Sequence, residues 1–276
     1  VLADVVAAMR CPLCRGPLAE SGSALRCAAG HTFDVARQGY VSFLSGRPTG
    51  LVGDDAGMVE ARGRFLGAGH FEPLARELVA ASAAAGDGLV VEVGAGTGWY
   101  LGRVLDALPA RCGLALDLSK YAARRAARAH PRAAAAVADA RARLPLDDGC
   151  AGLILDVFAP RNGPELRRIL RAGGLLVVVT PAPEHLAELR GPLGLLEVDP
   201  EKERRVEAAL APHFERASST AVRWTMELPH ADAHALAAMG PSARHLDAGM
   251  LAVRVRTLAE PARVTGACVV ETWRGT

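Results

Sequence analysis

The sequence has almost no lysine. Arginine supplies nearly all of its 32 basic side chains, and the heavy use of Ala, Gly and Val beside it points to a GC-rich coding sequence, which bears on source and not on chemistry. It has no long apolar run: nothing approaches the roughly 18 residues of a membrane span, and no charged segment precedes a short apolar one as in a secretory signal. The chain therefore reads as cytosolic, without a membrane partner. Its net charge is only +2, too small to announce a nucleic-acid partner by itself. Nor is there a disulfide framework, since six cysteines in a cytosolic chain do not make one. Three of them cluster with a histidine; Cys112, Cys150 and Cys268 stand apart and read as ordinary buried or half-buried thiols.

What is present is ample for a core: 276 residues, half of them hydrophobic, suit one large domain with a small appendage. The appendage opens the chain. Cys11-Pro-Leu-Cys14 is followed after twelve residues by Cys27-Ala-Ala-Gly-His31. Two such knuckles bring three thiolates and one imidazole into a tetrahedron, a donor set that suits zinc and leaves no open catalytic position. Gly16-Pro17 and Ser21-Gly22-Ser23 are turn signals between the knuckles, and Ala24–Arg26 reads as a short strand. So small a ribbon cannot bury enough apolar surface to fold alone, which makes the metal a source of its stability. Phe33–Val35 and Tyr40–Leu44 read as further strands with exposed aromatics, amid Arg10, Arg15, Arg26, Arg37 and Arg47. Rings beside guanidinium groups suit unpaired bases and phosphates; the competing reading is a mini-core for the ribbon.

Residues 47–57 are glycine-rich and polar, a linker between a zinc module at 1–46 and a second domain at 58–276. Met58, Ala61, Phe65 and Leu66 lie at helical spacing, and a second helix runs from Glu72 to about Ala85. Strands and helices then alternate through Leu175–Thr180, the rhythm of an open parallel sheet. Phe214–Trp224 and Gly266–Trp273 read as two later strands with a helix, Pro229–Met239, between them.

The first strand of that sheet runs into Glu92-Val-Gly94-Ala-Gly96-Thr-Gly98, whose glycines let backbone approach a ligand closely. Asp117 ends the second strand, where its carboxylate can accept from both ribose hydroxyls of an adenosine. Asp139 ends the third, before Ala140. Acids at both strand ends favour S-adenosylmethionine over a dinucleotide. Between Lys120 and Arg143 there are also seven basic residues, Lys120, Arg124, Arg125, Arg128, Arg132, Arg141 and Arg143, against Asp139 alone. They make either a solvated helix face or a phosphate-facing patch.

These motifs together resemble the RlmA group of 23S ribosomal RNA (guanine-N1)-methyltransferases. The resemblance covers nearly the whole chain. It runs from the zinc module through His31–Val41, Phe65–Leu74, the glycine turn ending Trp99-Tyr100, Leu116–Lys120, Phe158-Ala-Pro160 and Thr180–Leu186. It implies a class I (Rossmann-like) S-adenosylmethionine-dependent methyltransferase sheet with an N-terminal zinc ribbon. Zinc would be held by Cys11, Cys14, Cys27 and His31. Cofactor contacts carry over to Phe71, Gly98, Trp99 and His185, beside the candidates already read at the glycine turn and strand ends, Glu92, Gly94, Gly96, Asp117, Leu118, Asp139 and Ala140. Relatives often carry Tyr where this chain has Phe71, which keeps the stacking and loses the hydroxyl. The expected partner is 23S ribosomal RNA, methylated at a guanosine of a domain II hairpin beside the peptide exit tunnel. A second copy of the chain is a further candidate partner. The actinomycete-like composition points to the Gram-positive branch, which includes the tylosin- and mycinamicin-resistance enzymes.

Methyl transfer needs in-line approach, and guanine N1 is a weak nucleophile until its proton leaves. The loop after the fourth strand, Asp156-Val-Phe-Ala-Pro160-Arg-Asn162, lacks the N/D-P-P-Y/F of many exocyclic-amine methylases, in keeping with a ring-nitrogen target. Asp156 is the candidate base, with buried hydrogen bonding to the cofactor or main chain as the alternative, and Arg161 is a candidate O6 stabiliser or phosphate contact. Two rival functions are a methyltransferase of small metabolites with a structural ribbon, and a nucleic-acid-binding protein that keeps the fold without catalysis.

Overall fold

The computed structural model describes residues 2–44 and 52–276. The N-terminal segment contains α1 (Leu2–Val6), β1 (Leu18–Ser21), β2 (Ala24–Cys27), β3 (Thr32–Asp34) and β4 (Tyr40–Ser42). Strands β1 to β3 form a three-stranded antiparallel sheet. Next come α2 (Ala56–Gly67), α3 (Glu72–Ser82), β5 (Leu89–Val93), α4 (Trp99–Ala107), β6 (Gly113–Asp117), α5 (Lys120–Ala126) and β7 (Ala133–Val137). Then follow β8 (Ala151–Val157), α6 (Gly163–Ile169), β9 (Leu170–Pro181), α7 (Ala187–Leu193) and α8 (Lys202–Leu210). The chain closes with β10 (Phe214–Leu228), α9 (His230–Met239), α10 (Ala248–Val255) and β11 (Ala262–Gly275).

The main sheet has eight strands in the order β10-β11-β9-β8-β5-β6-β7-β4. Six of them, from β9 to β4, run parallel, and β11 lies antiparallel to both β9 and β10. Parallel strands need crossovers, and the helices that supply them cover both faces; hence β5, β7 and β8 are buried along their whole length and read as unbroken apolar runs. Even the alanines of β7 form a strand, because a covered position rewards fit over intrinsic propensity. On one face Leu74, Leu101, Leu105 and Leu236 pack against the strands; on the other, Leu166, Ile169, Val206, Leu210 and Trp273 do. The strand order reverses at β5, so a crevice opens beyond its C-terminal end.

The N-terminal segment expected to stand apart at 1–46 is not separated from this sheet. Its strand β4 pairs in parallel with β7, and Val5, Met9, Leu25 and Val41 share one apolar cluster with Leu114, Leu116, Ala134 and Leu146. Of the aromatics expected as a base-stacking platform, Phe43 belongs to the core at 5% exposed and meets Phe33 edge-on at 5.3 Å, while Phe33 and Tyr40 are half-buried. Of the expected linker, Arg47 and residues 48–51 lie outside the described residues. Its last part is packed, since a Cβ on Gly53 would lie 2.9 Å from the Ser119 nitrogen, and the Asp55 carboxylate caps α2 by accepting from Met58 N–H. The helix start read at His185 is found as α7, while helices α1, α8 and α10 have no counterpart in the sequence reading. Each is nine residues or shorter and contributes only a few buried side chains, too little periodicity to register.

Candidate active site and metal centre

In the ribbon the four expected ligands converge. Their donor atoms all lie within 4.8 Å of one another. The Cys11 and Cys27 sulfurs are each 3.4 Å from His31 Nδ1, and Cys14 Sγ is 3.6 Å from Cys27 Sγ. Zinc–sulfur bonds of about 2.3 Å give tetrahedral edges of about 3.8 Å, so the cluster has the size and donor set of a closed zinc site. Burial pushes the Cys27 thiol up, but the Cys14 thiol and the His31 and Ala29 backbone outweigh it and bring it down to about 6. The knuckle is welded to the main domain by arginines. Arg10 pairs with Asp147, and Arg15 donates to the Leu144 and Leu146 carbonyls at 3.3 and 3.4 Å. These two guanidinium groups hold the knuckle on the main domain.

At the crevice beyond β5 lies a cavity of about 430 Å³, within the size range of small-molecule sites. Its wall brings together Phe71, Glu92, Gly94, Gly96, Trp99 and His185 from positions spread over more than a hundred residues. The glycine turn fits tightly: a Cβ on Gly94 would stand 2.6 Å from Ala159 Cβ, at a φ of +63°. Gly98, at φ +73°, is the residue from which α4 starts. Asp117 does not line the cavity but holds the turn that does, accepting from Gly96 N–H through one oxygen and from Ser119 N–H through the other, both at 2.8 Å. Burial raises its carboxyl. Leu118, Asp139 and Ala140 stand at the neighbouring strand ends, outside the cavity wall, with Gly53 packed against Leu118. Glu92 is wholly buried and accepts from Leu101 N–H at 3.1 Å; burial pushes its carboxyl up to about 8.

His185 is brought in by the turn before α7. Its Nδ1 accepts from Ala267 N–H at 3.2 Å, and burial, helped by the Arg190 guanidinium, lowers it to about 4. It is thus neutral at physiological pH, with the proton on Nε2. Trp224, not foreseen, completes a group of rings: it lies 5.3 Å from Phe71 and 6.4 Å from His185. Arg62 was missed as well. Its side chain lies 3.1 Å from the position of a Gly96 Cβ, it pairs with Asp54 at 2.6 Å, and its Nε is buried without a partner. A helix-borne arginine carries no local sequence signal of this, because only the packing of α2 over the turn brings it there. An orphaned cationic donor beside a glycine turn, next to two buried carboxyls, fits a zwitterionic amino-acid moiety such as that of S-adenosylmethionine.

Asp156 and Arg161, the expected base and O6 stabiliser, oppose each other at 3.2 Å beneath the loop after β8. Asp156 is fully buried, and burial pushes its carboxyl up to about 7 against the nearby guanidinium. Neither residue forms the cavity wall. Both Asp156 oxygens and the Arg161 Nε are buried without a hydrogen-bond partner.

The basic stretch divides. Arg132 is spent on the carbonyls of Leu108 and Arg111 at 2.8 and 2.6 Å and on that of Leu105, which ties β7 to α4. Arg124, Arg125 and Arg128, on and just beyond α5, line a groove of about 830 Å³ between α2, α4 and α5. Among the described residues these three have no ion pair. The turn before β4 abuts the end of α5, with Gly39 facing Ala127, and Arg37 on that turn is exposed.

Comparisons with known proteins agree with this geometry. Residues 9–45 match the zinc-ribbon family described as RlmA, N-terminal. The chain is 53% identical over 259 residues, 92% of each chain, to the 23S rRNA (guanine(748)-N(1))-methyltransferase of Streptomyces fradiae. It is 50% identical over 98% of each chain to a Micromonospora griseorubida protein whose name assigns it, provisionally, as a 23S rRNA (guanine-N1)-methyltransferase. Among solved structures, a chain from the complex of the Haloferax volcanii Trm112 methyltransferase activator with its methyltransferase partner aligns at a TM-score of 0.53. That match has 19% identity and covers 81% of this chain and 99% of the other. Likeness at that level speaks for the fold alone. Half-identity over nine-tenths of the length speaks for more, and with the ribbon match it establishes that this chain belongs to the RlmA-type 23S rRNA (guanine-N1)-methyltransferases.

Proposed function

We propose that the chain transfers a methyl group from S-adenosylmethionine to N1 of a guanosine in a domain II hairpin of 23S ribosomal RNA, beside the peptide exit tunnel. The observation that carries this reading is the cavity beyond β5, with its glycine turn and buried acids, on the same body as a closed metal cluster. The cofactor supplies an electrophilic methyl group. The protein's own part is to hold and orient: Gly94 and Gly96 give the ligand access to backbone, Glu92 and Arg62 face its charged end, and Phe71, Trp99 and neutral His185 wall the cavity. Cys11, Cys14, Cys27 and His31 hold zinc as a structural ion. Asp117, Leu118, Asp139 and Ala140 belong to the adenosine end of the same assignment, Asp117 acting through the turn it fastens.

No described helix is long and apolar enough to cross a membrane, and an RNA target places the protein with ribosomes in the cytoplasm. A second copy of the chain as partner is part of the proposal, supported by the 15-residue outer strand β10, whose residues 215–221 are exposed along a free sheet edge; sedimentation of the purified protein tests it. The activity itself is tested by primer extension on 23S RNA from cells with and without the protein, because N1-methylguanine blocks pairing. The expected outcome is a discrete stop within one domain II hairpin. Absence of that stop, with a free metabolite methylated equally well whether or not RNA is added, would install the small-molecule reading instead. Macrolide sensitivity of the same two strains tests a resistance role.

A further inference from the structure

The wall of the cavity has two features that cofactor binding leaves unexplained. Phe158 follows the last residue of β8 with a φ of +56°, a left-handed conformation that is costly for a bulky aromatic residue. It nevertheless leaves its ring 38% exposed, at the cavity and 6.1 Å from His185. The strained turn sets an aromatic ring at the cavity and not in the core. Its neighbour Ala159 is the residue pressed against Gly94, and Phe158 N–H donates to the Val179 carbonyl at 3.1 Å, so the conformation is held from both sides.

Lys202 is the second feature. It is one of only two lysines in the chain, lines the same cavity and is half-buried. It has no ion pair among the described residues. It is also the first residue of α8, where the helix dipole disfavours a cation. Around it stand Asp156 from β8, Arg161 from the following loop, Asp199 from the segment before α8 and Arg205 on α8 itself. Desolvation and the Arg161 charge both press on its ammonium, which lowers its proton affinity. A half-buried cation so placed calls for an acceptor ligand.

We infer that Phe158 and Lys202 form the acceptor-base site, the ring stacking on the target guanine and the ammonium donating to its O6. The inference rests on the function proposed above and names the residues that read its substrate. The pattern is specific for guanine. Its O6 is an acceptor that the Lys202 ammonium at the cavity wall can meet; adenine presents an amino donor at that position instead. The chemistry closes as follows. The N1 proton leaves to water at the cavity mouth and its electron pair spreads onto O6, where the ammonium stabilises it. N1 then takes the methyl group as the sulfonium carbon–sulfur bond breaks, leaving a neutral thioether and a neutral methylated base. Fixed charge at a developing oxyanion is among the largest contributions a site can make.

The test is single-turnover methylation of a target-hairpin transcript, with S-adenosylmethionine affinity measured by calorimetry on the same preparations. Lys202→Met should slow methylation by about 100-fold and leave cofactor affinity unchanged. It should also displace the rising limb of the pH–rate profile to higher pH, because N1 loses its proton less readily without a cation at O6. Lys202→Arg should restore part of the rate. With 2-aminopurine at the target position, Phe158→Ala should lose the stacking quench that wild type and Phe158→Trp retain. A Lys202→Met enzyme with wild-type rate and limb overturns the inference, as does one that loses cofactor affinity in parallel, which would assign the lysine to the cofactor. A wild-type protein that leaves the hairpin unmethylated brings down the proposed function, and the inference with it.

Discussion

Glu92 keeps its proton at neutral pH because its folded environment cannot hydrate a carboxylate, and this has a measurable consequence. Its carboxyl is raised from 4.5 to about 8 on folding, so between those values the native state binds a proton that the unfolded chain has released. Unfolding free energy therefore falls as pH rises across that window and levels off above it. Glu92→Gln removes the titration while keeping the shape. In the cofactor-free protein the variant should gain on wild type by about 1.4 kcal/mol per pH unit through the window. Urea titrations at pH 5, 6.5 and 8 check this, and a difference that stays constant would mean the carboxyl is ionised in the fold. His185 acts in the opposite sense. Lowered from 6.5 to about 4, it takes up a proton on unfolding, so its contribution is present above pH 6.5 and is lost as pH falls toward 4. The Glu92 experiment, being a difference between two proteins that share His185, cancels that term.

Among the elements, the junction of β4 with α5 matters most for substrate. Arg124, Arg125 and Arg128 line the groove, and Arg37 is exposed on the turn that meets the end of α5; we propose that together they hold the RNA backbone. Each phosphate contact releases condensed counterions. Arg37→Glu combined with Arg128→Glu should therefore weaken hairpin binding by more than tenfold at low salt and flatten its salt dependence, with cofactor affinity spared. Equal affinity and equal salt slope for the double variant and wild type would remove this surface from the model. Arg132→Ala, by contrast, should act on stability, since it leaves carbonyls of α4 and its following loop without a donor.

For the molecule as a whole, the zinc ribbon is a part of the core. Val5, Met9, Leu25 and Val41 pack in the same cluster as Leu114 and Leu116 of β6, and β4 continues the main sheet. Metal binding is folding free energy for a segment this small, so its loss should be felt throughout. Chelation, or Cys14→Ser, is expected to give one unfolding transition at a lower temperature, not a lost early transition followed by an unchanged late one. Scanning calorimetry of metal-loaded and stripped protein distinguishes these, and two independent transitions would restore a picture of separable modules.

Much of this protein is written locally in its sequence. The metal set was legible because Cys11, Cys14, Cys27 and His31 come in two tight knuckles whose spacing alone imposes convergence. The sheet was legible because β5, β7 and β8 must be apolar on both faces and the chain alternates them with helices. The glycine turn was legible because Gly94, Gly96 and Gly98 occupy positive-φ positions at the end of a buried strand. What stayed hidden depends on elements distant in sequence. Arg62 reaches the turn only because α2 folds back over it, and Lys202 reaches the cavity only because α8 packs beyond β8. Asp156 and Arg161 share a loop in the sequence, yet only packing showed them facing each other at 3.2 Å beside Lys202. Knuckles, periodicities and turns are short-range geometry, set by neighbours a few residues apart. Burial and juxtaposition across the sheet depend on long-range packing, and only the tertiary structure decided them.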